Sequence, residues 1–142
     1  MTKTTSLTVA SLLLFLLLVS VRGAKSSSGA KAPADVPRQK VVKLDAKGRK
    51  ELRILAGAPE SYRMRAGLIV LAPVDSVGRH STQQNEEVSV VLDGSGEMVF
   101  GDGSKLPMHA NSALYCSPET THEVVNTGHA VLRYVYVVSR AK

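Results

Sequence analysis

The sequence predicts an all-β fold of the sandwich or jelly-roll barrel class. From Tyr62 onward, apolar runs of strand length alternate with turn residues, over residues 62–73, 86–100, 112–118 and 130–138. The runs are rich in residues that favour strands, and no long helical period interrupts them. Several short strands at roughly even spacing are typical of two-sheet architectures.

Length and composition limit the chain to one small globular unit. It has 142 residues, 44% of them hydrophobic and 4% aromatic, with a formal net charge of +6. This length excludes a two-domain enzyme, and the absence of a heptad pattern or repeated apolar spans excludes a coiled coil and a polytopic membrane protein. No internal repeat is visible.

The first 23 residues have the pattern of a secretory signal peptide. Lys3 provides a positive start, residues 12–19 are continuously apolar, and small residues follow. Cleavage after Gly23 suits the preference for small residues and gives a mature start at Ala24. The alternative is a membrane anchor, but the run from Leu7 to Val21 is shorter than the ~20 residues that span a bilayer. We therefore expect a secreted or periplasmic protein without stable membrane insertion of the mature form.

Residues 24–38 form a predicted flexible linker, and residues 39–142 form the predicted single domain. The linker is rich in Ser, Ala, Gly and Pro and lacks bulky side chains that could order it. Residues 25–65 carry eleven Lys and Arg against four Asp and Glu, whereas residues 66–142 are net acidic. Tyr62 is the one aromatic residue in the basic stretch, which argues against nucleic-acid binding and favours a solvated basic arm.

Turn residues divide the predicted domain. Residues 39–55 suggest short strands or one short helix around a turn at 46–48. Residues 93–96 predict a tight hairpin between two paired strands, because glycine supplies the positive φ that such turns need. Further turns are expected at 101–104 and 126–128.

The predicted strand 87–92 is apolar on both faces. Ser89 and Val91 lie on one face, and Val88, Val90 and Leu92 on the other. One face is expected to line the interior while the other meets a second sheet or a second subunit, so a homodimer is a reasonable expectation. Cys116 is the sole cysteine, which excludes an internal disulfide, and its strand context favours a buried core residue over a reactive thiol.

Three side chains form a candidate metal site. His80 precedes a short loop, Glu87 begins the next strand, and His122 offers a second imidazole from a neighbouring strand. We expect His80 and Glu87 to project from adjacent strands toward one point. Two imidazoles and one carboxylate on a rigid scaffold suit one divalent transition metal (Fe, Mn, Ni, Cu or Zn) and leave positions open for a substrate.

These residues resemble the motifs of the cupins. His80 matches the first histidine of the first motif, Glu87 its glutamate and Gly94 its closing glycine, with six residues between the last two. In the second motif, Pro118, His122 and Asn126 match the proline, histidine and asparagine. The resemblance covers residues 68–138 and implies a double-stranded β-helix, the jelly-roll barrel of cupins, with a metal near its mouth.

Two positions depart from the cupin pattern. Thr82 stands where the family has its second histidine, and Thr120 where it has glycine. Thr82, Gln84 and Glu86 are therefore candidates for an additional ligand or a pocket role. Tyr134 and Tyr136, on one face of the last strand, are candidate pocket residues. His109 and His129 lie in turn-like segments, where a surface role is expected.

The resemblance implies a metalloprotein, the leader pattern of residues 1–23 predicts its export, and three roles fit such a protein. One is a metal-dependent enzyme acting on a small oxygen-rich molecule. A dioxygenase fits the ligand set better than an isomerase, for which only Glu86, Tyr134 or Tyr136 could supply an acid or base. The second role is a barrel that binds a small ligand or metal without turnover, and the third is a structural barrel whose site has decayed.

Overall fold

The computed structural model describes residues 37–142, and this part of the chain is all β. Its nine strands, in chain order, are β1 (Glu51–Ala56), β2 (Met64–Leu71), β3 (His80–Ser81), β4 (Asn85–Asp93), β5 (Ser95–Phe100), β6 (Lys105–His109), β7 (Ala113–Cys116), β8 (Thr121–Val125) and β9 (Leu132–Arg140). The predicted leader and almost all of the predicted linker lie outside the described residues. Within them, no helix has the length and apolar character that a membrane span requires.

The strands form two antiparallel sheets that face each other. One sheet has five strands in the order β1-β2-β9-β4-β7, and the other has four in the order β3-β8-β5-β6. Strands that follow each other in the sequence therefore often lie in different sheets, as in a double-stranded β-helix. The all-β prediction is confirmed.

The predicted hairpin at residues 93–96 is wrong. Strands β4 and β5 are separated only by Gly94, yet they belong to different sheets and do not pair with each other. Gly94 has a φ of +78°, and a Cβ at this position would lie 2.4 Å from the carbonyl oxygen of Val131. Gly94 therefore allows the chain to turn sharply from one sheet into the other. A hairpin turn needs the same positive φ, so the local sequence does not distinguish the two.

Apolar side chains from the inner faces of both sheets form the core. They include Leu71, Val91, Met98, Met108, Val124 and Leu132, all at most 1% exposed. Cys116 joins this cluster, with its Sγ 3.1 Å from the Sδ of Met98. Burial raises the pKa of its thiol to about 11, and the prediction that Cys116 is a buried core residue is confirmed.

The segment before β1 is irregular. Residues 37–50 contain a turn at Lys47 and Gly48, at the predicted place, and the first regular element is β1. The segment is fixed to the five-stranded sheet, because Arg133 donates to the carbonyl of Leu44 and the amide of Val70 donates to that of Lys50. Of the short strands or single short helix expected over residues 39–55, the structure contains one strand, β1.

The outer face of β4 stays open. Val88 and Val90 are 38% and 39% exposed, and Tyr115 on the neighbouring strand β7 is 56% exposed. The alternation of the two faces follows the sequence prediction, but no second sheet of the described chain covers the outer one.

Asn126 closes the connection between β8 and β9 from inside the protein. It is fully buried, and its side-chain amide donates to the carbonyls of Leu71 and Ala130, each at 2.9 Å. Its Oδ1 accepts the amide hydrogen of Gly128, also at 2.9 Å. One side chain thus satisfies three backbone groups, which explains why the motif position requires an amide rather than an apolar residue.

We expect Asn126→Ala to lower the free energy of unfolding by roughly 2–4 kcal/mol, because three backbone partners lose their hydrogen bonds at once. Thr127→Ala is the matched control, since Thr127 is the exposed neighbour in the same turn, and should change stability by less than about 0.5 kcal/mol. Urea unfolding of both variants measures the difference. Equal stability of the two variants would contradict the role assigned to Asn126.

Candidate metal centre

His80 and His122 face each other across two paired strands. In the antiparallel pairing of β3 with β8, His80 lies directly opposite His122, so both imidazoles project from the same face. Their ring centroids are 4.4 Å apart, with an angle of 58° between the ring planes. The pairing register therefore brings together two histidines that are 42 residues apart in the sequence.

Glu87 approaches the two histidines from the other sheet. Its Oε2 lies 3.8 Å from Nε2 of His122, and one potential ligand atom from each of the three residues lies within 4.8 Å of the others. The expectation that His80 and Glu87 project from adjacent strands is wrong, because β3 and β4 belong to opposite sheets. The two histidines are the cross-strand neighbours, and the carboxylate closes the cluster from the facing side.

Two hydrogen bonds orient these side chains. Nδ1 of His80 lies 3.0 Å from the carbonyl oxygen of Gly78, which can only accept, so this nitrogen is the donor and Nε2 is free to ligate. The hydroxyl of Ser89 donates to Oε1 of Glu87 at 3.0 Å and leaves Oε2 available. Such supporting contacts fix ligand orientation at metal sites. Sequence reasoning missed the role of both partners, although Ser89 lies two residues from Glu87 on the same strand face.

His122 is the side chain whose surroundings point most strongly to a missing partner. It is 0% exposed, and neither of its ring nitrogens has a hydrogen-bond partner. Burial is the main cause that lowers the pKa of its imidazole, and the nearby His80 lowers it further, against the opposite effect of Glu87. The ring is therefore neutral near pH 7 and has a lone pair to donate. A buried, unpartnered imidazole is costly, and a divalent ion beside Glu87 would satisfy it.

Thr82 is not positioned as a ligand. Its hydroxyl donates to the carbonyl of Ser117 at 2.9 Å and accepts the amide hydrogen of Thr120 at 2.9 Å. Thr82 therefore ties the end of β3 to the turn before β8. The Thr82 hydroxyl, which stands in place of the expected imidazole, therefore makes hydrogen bonds within the protein. The candidate metal cluster consists of His80, Glu87 and His122.

Gln84 and Glu86 also lie away from the cluster. The Oε1 of Gln84 accepts a hydrogen bond from Arg140 at 2.7 Å. Glu86 alternates with Glu87 along β4 and accepts a hydrogen bond from the hydroxyl of Tyr115 at 3.2 Å, on the outer face of the sheet. The interpretation of either as a compensating ligand is not supported, because strand alternation directs Glu86 outward. His109 and His129 are exposed and outside the cluster.

A cavity of about 620 Å³ opens beside His80 and Glu87. Tyr134 and Tyr136 line it, as expected for pocket residues. Tyr136 also packs across β2 at Gly67, where a Cβ would lie 2.7 Å from the tyrosine ring. The absence of a side chain at residue 67 thus makes room for the ring.

Three charged residues of the cavity wall were missed by sequence reasoning. Glu51 and Arg53 come from β1 and Arg65 from β2. The hydroxyl of Tyr136 donates to Oε1 of Glu51 at 2.7 Å, and burial together with this carboxylate raises the pKa of Tyr136 to about 12. Burial also raises the pKa of Tyr134. The alternation of Glu51 and Arg53 along one strand is the only sequence signal for this wall, and it equally fits a solvated edge strand.

Comparisons with known proteins agree with this geometry. A family model described as "Cupin domain" matches residues 67–138, half of the chain. Auxin-binding protein 1 from Arabidopsis thaliana is 36% identical over an alignment of 72 residues that covers 45% of this chain and 35% of that protein. The match thus spans about a third of the length of this relative.

Solved structures show the same architecture. A Cupin 2 conserved barrel domain protein from Salinispora arenicola superposes with a TM-score of 0.62 at 25% identity, over 73% of this chain and 91% of that one. A cupin protein from Bacteroides fragilis gives a TM-score of 0.59 at 20% identity, over 74% and 85% of the two chains. A double-stranded β-helix protein from Klebsiella pneumoniae gives 0.59 at 16% identity, over 74% and 93%. The last two show the fold alone.

The family match over residues 67–138 shows that this chain belongs to the cupin family, in agreement with the sheet topology and with the cluster that His80, Glu87 and His122 form from the two sheets.

Proposed function

We propose that the chain is an exported metal-dependent enzyme that acts on a small oxygen-rich molecule, with dioxygenase-like chemistry. One observation carries the metal assignment: His122 is fully buried with two unpartnered ring nitrogens, and its neighbours are His80 and Glu87. This donor set suits Fe, Mn, Ni, Cu or Zn. When bound, such an ion supplies Lewis-acid or redox chemistry at the coordination positions that the protein leaves open.

The protein side chains give each part of the site a distinct role. Nε2 of His80, Oε2 of Glu87 and a ring nitrogen of His122 would hold the ion, and the bonds from Gly78 and Ser89 keep the first two in place. Because the Thr82 hydroxyl is engaged elsewhere, three protein donors would hold the ion, and its other coordination positions would be open to ligands from the cavity.

None of the three residues that the sequence offered to an isomerase is placed as a base, and Glu51, a further cavity carboxylate, accepts the hydroxyl hydrogen of Tyr136, which favours an oxygenase. An isomerase requires an acid or base that exchanges protons with the substrate. Glu86 lies on the outer face, and the raised pKa values of Tyr134 and Tyr136 keep both hydroxyls protonated near pH 7. The two tyrosines therefore serve as hydrogen-bond donors and apolar walls rather than as bases.

Ligand binding without turnover is the second candidate function. It is favoured by the one curated relative described above, whose name identifies it as an auxin-binding protein. The same cavity and the same metal would then capture a small molecule reversibly. The two candidates predict the same metal content and differ in whether oxygen is consumed.

We expect the mature protein, purified without added metal or affinity tag, to contain close to one transition-metal ion per chain. His122→Ala should lose the ion, because one of three ligands is removed, and retain the far-ultraviolet circular dichroism of the β fold. His109→Ala is the matched control, since His109 is exposed and outside the cluster. Elemental analysis measures all three proteins. Metal content that is unchanged in His122→Ala, or a wild-type protein that takes up no added metal, would refute the site.

An oxygen electrode then separates the two candidates. The metal-loaded protein is mixed with small catechols, diketones and keto acids, and uptake that His122→Ala lacks supports the enzyme. Binding of these compounds without oxygen uptake supports the capture function instead.

Export rests on the sequence of residues 1–23, which lie outside the described residues. We expect the full chain, expressed in a bacterial host, to be recovered from the periplasm or medium with its mass reduced by the 23 residues that precede Ala24. Intact-mass spectrometry of the fractionated protein measures this. An uncleaved chain in the membrane fraction would favour the anchor interpretation.

A homodimer through the outer face of β4 is also part of the proposal. Val88, Val90 and Tyr115 form an exposed apolar patch, and a second copy of the same patch would cover it symmetrically. Val88→Glu should convert the dimer to a monomer, because two like charges would meet across the symmetric interface. Sedimentation analysis of the wild type and the variant measures this, and a monomeric wild type would contradict the proposal.

A further inference from the structure

Two arginines line the same cavity as the candidate metal ligands. Arg53 lies opposite Gly67 in the pairing of β1 with β2, and Arg65 lies opposite Ala56, so both project on the face that carries Gly67. Gly67 pairs with Tyr136, whose hydroxyl group borders the cavity. The two guanidinium groups and the metal cluster therefore share one space.

Neither arginine forms an ion pair within residues 37–142, although the negative charge of Glu60 lies near Arg53. The ion pairs of this part of the chain join other residues, such as Arg79 with Glu123 and Arg133 with Asp93. The side chains of Arg53 and Arg65 have no hydrogen-bond or ion-pair partner among the described residues. Burial raises the pKa of the Tyr136 hydroxyl, and the positive charges of Arg53 and Arg65 oppose that rise, so both exposed arginines lie near the tyrosine.

The two cavity carboxylates are already engaged. Glu51 accepts the hydroxyl hydrogen of Tyr136, and Glu87 faces His122 as a candidate ligand. Arg53 and Arg65 therefore have neither carboxylate as a close partner, and a divalent ion held by the cluster would add further positive charge to the cavity. Unpaired guanidinium groups beside such a centre favour a ligand that brings its own negative charge.

A second cavity adds positively charged side chains beside the first one. A neighbouring cavity of about 660 Å³ shares Arg65, Gln83 and Asn85 with the first one. It adds Arg63 and Arg140 to the rim, against one carboxylate, that of Glu119. The positive side chains of the two cavities therefore adjoin at the shared residue Arg65.

We propose that the ligand is a small organic anion, and that Arg53 and Arg65 bind its carboxylate or phosphate oxygens while another polar group of the ligand faces His80 and Glu87. The inference rests on the function proposed above, since it names the ligand class of that same site. Arginine suits this role because its planar guanidinium matches the paired oxygens of either anion. The cavity volume of about 620 Å³ lies in the range of small-molecule sites.

The test compares three matched probes: benzoate, phenyl phosphate and neutral benzamide. Their binding to wild type, Arg53→Gln, Arg65→Gln and the double variant is measured by ligand-observed NMR, on metal-free and metal-loaded protein. Arg63→Gln is the control, because it removes the same charge from the rim without lining the first cavity. Glu51→Gln removes a competing negative charge and keeps an acceptor for Tyr136.

At least one anion should bind wild type more tightly than benzamide, and the double variant should weaken that anion about tenfold or more. Glu51→Gln should tighten the anion and leave benzamide unchanged, an opposite effect that a loss of structure would not produce. Whichever of benzoate and phenyl phosphate binds more tightly identifies the anionic group that the site prefers.

Equal binding of anions and benzamide, or a loss in Arg63→Gln as large as in the double variant, would overturn the inference. The metal proposal is judged separately by elemental analysis of the same samples. A wild type that holds metal without anion preference contradicts only this inference. A wild type that holds no metal yet prefers anions contradicts only the metal site.

Discussion

The fold depends on apolar contact between the inner faces of two sheets. The chain passes repeatedly from one sheet to the other. No helix of the described residues covers either sheet, so the buried side chains of each sheet must pack against those of the other. Gly94 illustrates the constraint, since β4 passes into β5 across the gap without a hairpin. Because most consecutive strands lie in opposite sheets, residues close in sequence end on facing walls and residues far apart become neighbours.

That arrangement places a polar cluster at one end of an apolar core. His122 reaches the cluster from the four-stranded sheet and Glu87 from the five-stranded sheet, and both are buried. Burying an unpartnered imidazole beside a carboxylate opposes folding. Such local frustration is typical of functional sites, where the protein keeps donor atoms ready for a partner that is not part of the chain. Thr82 shows the opposite case, because its hydroxyl is fully used within the protein.

The cavity wall adds specificity to the centre. Its charged residues come from β1 and β2 at one edge of the larger sheet, outside the segment that carries the histidines. The candidate metal ligands and the charged cavity wall are thus contributed by separate parts of the chain.

The sequence by itself determined the strand content, the buried cysteine and the identity of the three clustered side chains. Strand periodicity and turn residues are local signals, and the spacing around His80, Glu87 and His122 carries the cupin pattern in the linear chain. Only the tertiary structure decided which strands pair: it placed β4 and β5 in different sheets, His80 directly opposite His122, and Glu86 outside the site. It also brought Glu51, Arg53 and Arg65 to the cavity. The physical reason is that pairing between distant strands is set by the packing of two whole faces, and no local stretch of sequence contains that information.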